Sequence, residues 1–212
     1  MLTSHYPEIA KIARRLARKF DFDVTIIESA LDEAVEAIKD LIEDPVNDII
    51  ISRGATAHLL EQQFPESTIL RIDPNEFDLI QALHQAKQMG KQRIGFLGPA
   101  KDMEKYKLEQ LAMIMDMNVA GYWYRNTLDF NLQVEKAKLD NIEVIIGGGL
   151  RGKEMCEIRN ISHISLLSGE LTIFHALERA NDILQTRAKE QLNTKLIKTI
   201  VDIYEEGIVA IE

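Results

Sequence analysis

Short apolar runs alternate with helix-period segments along the chain. Val24–Glu28, Ile49–Ser52, Thr68–Ile72, Ile94–Leu97, Val119–Trp123, Val144–Ile146 and Ile164–Leu167 are rich in β-branched residues and lack polar alternation. Such runs predict strands covered on both faces, as in a parallel sheet. Between them the apolar positions follow a helical period: Ile9, Ala13 and Leu16 with Ile12, Ala17 and Phe20; Leu31, Val35, Ile38 and Ile42; Leu108, Leu111, Ala112 and Met115. Ser29 and Asp32 form a helix-start pair, and Asn75 is placed to cap the helix that Gly90 ends. Strands alternating with helices predict βαβ units and an α/β fold.

The same order of elements occurs twice, at a spacing of roughly 95 residues. Asp48-Ile-Ile-Ile-Ser-Arg-Gly54 lines up with Glu143-Val-Ile-Ile-Gly-Gly-Gly149, and Val24 with Val119. Asn75–Leu83 meets Gly169–Leu177 with one residue slipped. Two similar α/β lobes with parallel sheets follow: lobe 1 over 1–90 and lobe 2 over 91–168, with a helix over 169–187 returning to lobe 1. Lobe 2 opens with a strand at Ile94–Leu97, but lobe 1 has only about six residues ahead of its first helix. Its first strand is therefore expected to lie upstream of Met1 or to be severely shortened. A linker helix is expected over 188–205, with the narrow stripe Leu192, Leu196, Thr199, Ile200 and Ile203, suited to a connector or short coiled coil. Residues 206–212 read as the start of a further strand.

Composition narrows the function. The net charge of −9 disfavours nucleic acid as a partner of this segment. One cysteine, Cys156, excludes an internal disulfide and fits a reducing, cytoplasmic setting. No run approaches the roughly 18 apolar residues of a membrane span.

Candidate chemistry gathers at the strand-to-helix turns. Open α/β sheets bind ligands at strand carboxyl ends, and helix N-termini attract anions. Ser52-Arg53-Gly54-Ala55-Thr56 is such a turn, with Arg53 offering a planar fork to a carboxylate or phosphate. An ordinary βα turn with an exposed arginine accounts for it equally well. Gly147-Gly148-Gly149-Leu150-Arg151 occupies the matching place in the second lobe. It fits neither a P-loop nor a dinucleotide fingerprint, and a flexible turn is its plain alternative. The two turns facing one another would make an interlobe cleft with two cationic jaws. Ser168 and Gly169 sit at a third junction, where helix capping competes with a ligand role.

No metal or cofactor is expected. His58, His84, His163 and His175 are scattered, with no ligand spacing. His58 follows the first turn, where a helix-surface role competes with general base. Cys156 reads as a helix core residue, and Tyr122-Trp123-Tyr124 as a buried strand.

Asp48-Ile-Ile-Ile-Ser-Arg-Gly-Ala-Thr56 resembles the D-x-I-I-S-R-G-x-T signature of the N-terminal sensor domain of PrpR-type propionate catabolism activators. Glu76-Phe77-Asp78, Ala82-Leu83, the second glycine turn and Ser168-Gly169-Glu170 are similar as well. The likeness covers roughly residues 1 to 187. It implies two flavodoxin-like lobes hinged like a periplasmic binding protein, and a small anionic carboxylate effector such as 2-methylcitrate. Arg53 is carried over by the motif; Arg151 comes from the repeat alone. The resemblance further implies a homodimer or higher oligomer in a longer bacterial regulator. Contacts to DNA and sigma-54 RNA polymerase, and ATP hydrolysis, would belong to domains outside this chain, and the tail would lead into a PAS-like domain. An enzyme using the same turns as an anion site is the alternative; a phospho-acceptor receiver is disfavoured, because Asp48 and Glu143 precede their strands.

Overall fold

The computed structural model describes residues 1–20 and 22–209. The chain divides into two units, Met1–Ile72 with Ile173–Glu212, and Asp73–Thr172. In the first unit four parallel strands, β1 (Leu2–Thr3), β2 (Ile26–Ile27), β3 (Ile49–Ser52) and β4 (Thr68–Arg71), lie in the order β2-β1-β3-β4. The helices α1 (Pro7–Ala17), α2 (Leu31–Leu41) and α3 (Gly54–Gln63) alternate with them. Successive strand side chains point to opposite faces, so the unbroken isoleucine run of β3 feeds two cores. Ile49 and Ile51 pack with α1 through Ile9, Ala13 and Leu16. Ile50 packs with Val35, Ile38 and Leu60 of α2 and α3.

The second unit repeats the plan. Here β5 (Arg93–Pro99), β6 (Asn118–Tyr124), β7 (Val144–Gly147) and β8 (Ser162–Ile164) lie in the order β6-β5-β7-β8, all parallel. Around them are α4 (Glu76–Gln88), α5 (Leu108–Met115), α6 (Thr127–Leu139) and α7 (Gly149–Arg159). Val144 and Ile146 face α4 and α5, while Ile145 faces Phe130, Val134 and Cys156 of α6 and α7. The register carries the duplication to single residues. Ile26 and Ile51, partners of Leu2, correspond at a spacing of 95 to Gly121 and Ile146, partners of Phe96.

Three expectations are corrected, and one pair of alternatives is decided. First, of the two alternatives for the opening strand of lobe 1, the severely shortened strand is the one found. Leu2–Thr3 pairs with both Ile26–Ile27 and Ile51, and sits in the sheet interior. Leu2 matches Phe96 at a spacing of 94, so only the last part of the β5 counterpart is represented, too short for a hydrophobic run to announce it. Second, the division falls at Ile72/Asp73 and not near residue 90. The helix α4 packs Leu79, Leu83 and Ala86 against Ile94, Phe96 and Val144 of the second sheet. An amphipathic stripe states that a face is buried, not which sheet buries it. The reciprocal helix, α8 (Glu170–Val209), places Ile173, Ala176, Leu177 and Ala180 in the first unit's core. Third, α8 is one helix through residues 206–209, where a strand was expected; residues 210–212 of that expectation lie outside the described residues. Fourth, Ser29 does not cap α2, whose N-cap is Ala30 without a side-chain bond.

Asn75 caps α4 through a reciprocal capping box with Asp78, and Gly90 follows the helix at φ +70°. Beyond its packed turns α8 is held by Arg187, which donates to the Asn47 carbonyl and to Thr68 Oγ1. Past that latch Leu192, Leu196, Ile197, Ile200 and Val201 are exposed.

Candidate ligand site

In the first unit the carboxyl ends of β2, β1 and β3 stand side by side and carry polar residues. Ser52 is fully buried, and its Oγ lies 2.7 Å from Thr3 Oγ1, tying β3 to β1. Thr56 Oγ1 accepts from the Leu31 amide at 3.1 Å, joining the first turns of α2 and α3. Both hydroxyls thus shape the rim. Arg53 occupies the N-cap position of α3 in extended backbone, and Gly54 begins the helix at φ +55°. Gly54 and Ala55 are exposed, leaving the start of α3 open to solvent. The Arg53 guanidinium lies over the Tyr6 ring, 5.2 Å from its centre, a cation–π contact that orients the fork.

Ser4 and His5 of this rim carry no recognisable motif, and the helix-start pattern at Ser29 is not realised as a cap. Ser4 Oγ accepts from the Tyr6 amide at 3.1 Å, and the His5 ring stacks on Tyr6 at 3.8 Å between centres. His5 Nε2 and Ser29 Oγ are buried, with no hydrogen-bond partner among the described residues. Burial, and then the nearby Arg53 charge, hold the His5 imidazole below its ordinary proton affinity. A buried polar group without a partner costs on the order of 1–3 kcal/mol, so two at neighbouring strand ends mark a place arranged for something other than stability. Only their position after successive parallel strands could have revealed them.

The second unit builds a different turn at the matching place. Gly147, Gly148 and Gly149 all have positive φ, at +97°, +71° and +61°. A Cβ on Gly147 would stand 2.5 Å from the Leu97 carbonyl oxygen, which accepts from the Gly148 amide at 3.0 Å. His163 Nε2 lies 2.7 Å from the Gly147 carbonyl and so carries the proton; burial holds this imidazole below its ordinary value. Arg151 is committed elsewhere, donating to Asn131 Oδ1 at 3.0 Å and lying over Phe130 at 5.2 Å. Ser168 Oγ is buried with no hydrogen-bond partner among the described residues. The Gly169 amide donates to Asp78 Oδ1 at 2.8 Å, where a Cβ would collide with that same oxygen. Asp78 Oδ2 accepts from the Asn75 amide and the Thr172 hydroxyl, which itself accepts from Asn75 Nδ2. Gly169 therefore serves a clasp where the chain enters and leaves this unit.

The remaining candidates are structural. His58 and His84 lie on helix surfaces beside Gln62 and Gln88, one turn on. His175 packs edge-on to Phe174. Tyr122 is buried, with its hydroxyl donating to Asp140, which together with burial raises its pKa. Cys156 is fully buried and its thiol is pushed up to about 11. Among the described residues no group of three or more His, Cys, Asp or Glu could hold a metal ion, and no helix is long and apolar enough to cross a membrane.

The family model of the propionate catabolism activator N-terminal domain matches residues 18–190. The chain belongs to this family. It is thus a regulatory sensor domain of the propionate catabolism activator type, and the D-I-I-I-S-R-G turn of β3 lies inside the match. The crystal structure of an NtrC family transcriptional regulator from Clostridium acetobutylicum is similar in fold. Its TM-score is 0.71 at 19% identity, over 88% of this chain and 96% of that one. A putative Asp/Glu racemase from Yersinia pestis aligns over 87% of this chain and 97% of its own, at 14% identity and a TM-score of 0.34, too low to bear on fold or chemistry. No curated protein gives a significant sequence match.

Proposed function

We propose that this activator-family domain binds a small carboxylate effector, of the 2-methylcitrate kind, at the strand carboxyl ends of the first unit. Occupancy there would regulate a longer sigma-54-dependent activator. The observation that carries the reading is the grouping of Arg53 with His5 Nε2 and Ser29 Oγ after three adjacent parallel strands. Arg53 supplies the bidentate fork for a carboxylate, and the exposed start of α3 adds favourable amide dipoles. The glycine turn at Gly147–Gly149 and Ser168 are the matching strand-end candidates within the second unit. The domain binds and does not turn over: Cys156 is buried with a raised pKa, and His58 is an exposed helix residue without an orienting carboxylate in hydrogen-bond reach. Calorimetry of the purified chain with citrate and 2-methylcitrate tests the reading. Arg53→Ala is expected to weaken binding by about 2–4 kcal/mol, and Arg53→Lys to be a poor substitute. Affinity unchanged in Arg53→Ala would remove the site.

The exposed stripe of α8 supports a further part of the proposal, self-association through this helix. Leu192, Leu196 and Ile200 recur at helical spacing and are each more than half exposed. Sedimentation of chains ending at Lys189 and at Glu212 tests it; equal monomeric behaviour rejects it.

A further inference from the structure

His5 sits where the proposed site would meet the part of the effector not held by Arg53. It follows β1, an interior strand of the sheet, and so lies between the end of β2, with Ser29, and the end of β3, with Arg53. Its ring is fixed by stacking on Tyr6, which also carries the Arg53 guanidinium, so the three side chains form a layered group. The groups bearing on His5 can be named. From β3 it is Arg53, whose charge opposes protonation. From its own turn it is the neutral Tyr6 ring. At the end of β2 the Ser29 hydroxyl is buried with no hydrogen-bond partner among the described residues, and the neighbouring Glu28 carboxylate is taken by Arg14. An incoming anionic group would offset both the burial and the Arg53 charge that hold the imidazole neutral.

We propose that His5 is a specificity-determining residue of the effector site: its Nε2 meets a second anionic group of the ligand, so the site selects di- and tricarboxylates over monocarboxylates and gains a proton as it binds. This rests on the effector site proposed above. The sign follows from linkage. The imidazole is disfavoured for protonation by burial and by Arg53, and an anion placed against it reverses both effects. Binding therefore tightens as pH falls below the proton affinity of the bound state, by at most about tenfold per pH unit for one proton. Because Nε2 is covered by protein atoms, the contact requires the Ser4–Tyr6 turn to shift, and one side-chain bond, Tyr6 amide to Ser4 Oγ, shapes that turn.

The test is calorimetry of the full chain with citrate and with acetate, at pH 7.5 and 6.0, in wild type, His5→Gln, His5→Phe and Arg53→Ala. The ionisation of citrate is common to all proteins and cancels when their pH ratios are compared. Wild type is expected to bind citrate, to prefer it strongly to acetate, and to show a steeper gain at pH 6.0 than either His5 variant. His5→Phe, which keeps the stacking on Tyr6, is expected to lose about tenfold or more in citrate affinity, the usual scale for a charged hydrogen bond. If both His5 variants keep wild-type affinity and pH ratio while Arg53→Ala loses binding, the role of His5 is overturned and the site stands. If none of the three substitutions alters citrate binding, the site falls with it. If wild type binds neither anion at either pH, the polycarboxylate assignment is overturned.

Discussion

The two units share strand order and register but finish their central strands in opposite ways. In the first, the loops after β1, β2 and β3 carry His5, Ser29 and Arg53. In the second, the positions after β5 and β7 are Ala100 and the glycines Gly148 and Gly149. Arginine follows both turns, yet Arg53 lies over Tyr6 of its own strand-end layer, whereas Arg151 is bound to Asn131 and Phe130 of α6. Duplication thus preserved the scaffold and let the rims diverge. One unit presents side chains that read charge. The other presents backbone, shaped by three left-handed residues and a histidine that holds their carbonyl.

The largest contrast is expected in stability at the turns. Gly147→Ala puts a Cβ 2.5 Å from a backbone oxygen at φ +97°, and should cost about 3–5 kcal/mol in denaturant melts. Gly54→Ala, at φ +55° with nothing within 4 Å, should cost only about 1–2 kcal/mol. Equal costs would mean that the two turns are not built differently. Next comes binding. Against the loss of about 2–4 kcal/mol at Arg53, Arg151→Ala should weaken citrate by less than about 1 kcal/mol, since its partners are already made. A larger effect at Arg151 would invert the assignment of roles. The clasp of the second unit gives a third: Asp78→Asn should destabilise by about 2 kcal/mol, because one of its donors then faces an amide N–H₂. A melt unchanged from wild type would remove it. The smallest effect concerns Cys156 in the second core. Its thiol is pushed from 9.0 to about 11 by burial, so the unfolded chain loses this proton first as pH rises. The stabilising contribution is complete below about pH 9 and is lost between about 9 and 11. The difference in stability between wild type and Cys156→Ala should narrow over that window, and a constant difference would reject the shift.

Much of the architecture is legible in the sequence because buried parallel strands leave apolar runs and because the repeat aligns them. Ile49–Ser52 and Val144–Gly147 are plain from their β-branched residues, and Asn75 announces its cap through Asp78 three residues on. Residues whose role depends on distant partners escaped. Two residues of β1 offer no period to read, although both β2 and β3 pair with the position they hold. The destination of α4 depends on which sheet meets Leu79 and Leu83, and that is settled by tertiary packing. Arg151 looked equivalent to Arg53 until Asn131, twenty residues earlier, took its guanidinium. His5 belongs to no motif and becomes visible only when β1 is placed between β2 and β3.

The unbroken course of α8 has a mechanical consequence. Its first turns are embedded in the core of the first unit, and Arg187 pins it to the loops before β3 and β4. From Arg187 to Val209 the helix extends a further ~33 Å at 1.5 Å per residue, with no proline to break its ladder. A stiff rod seated in this way acts as a pointer. A rotation of its seat by about 10° would carry its tip sideways by roughly 6 Å, more than the rise of one helical turn. A tilt of the seat around β3 can thus be read out at a distance as a larger displacement of the tip.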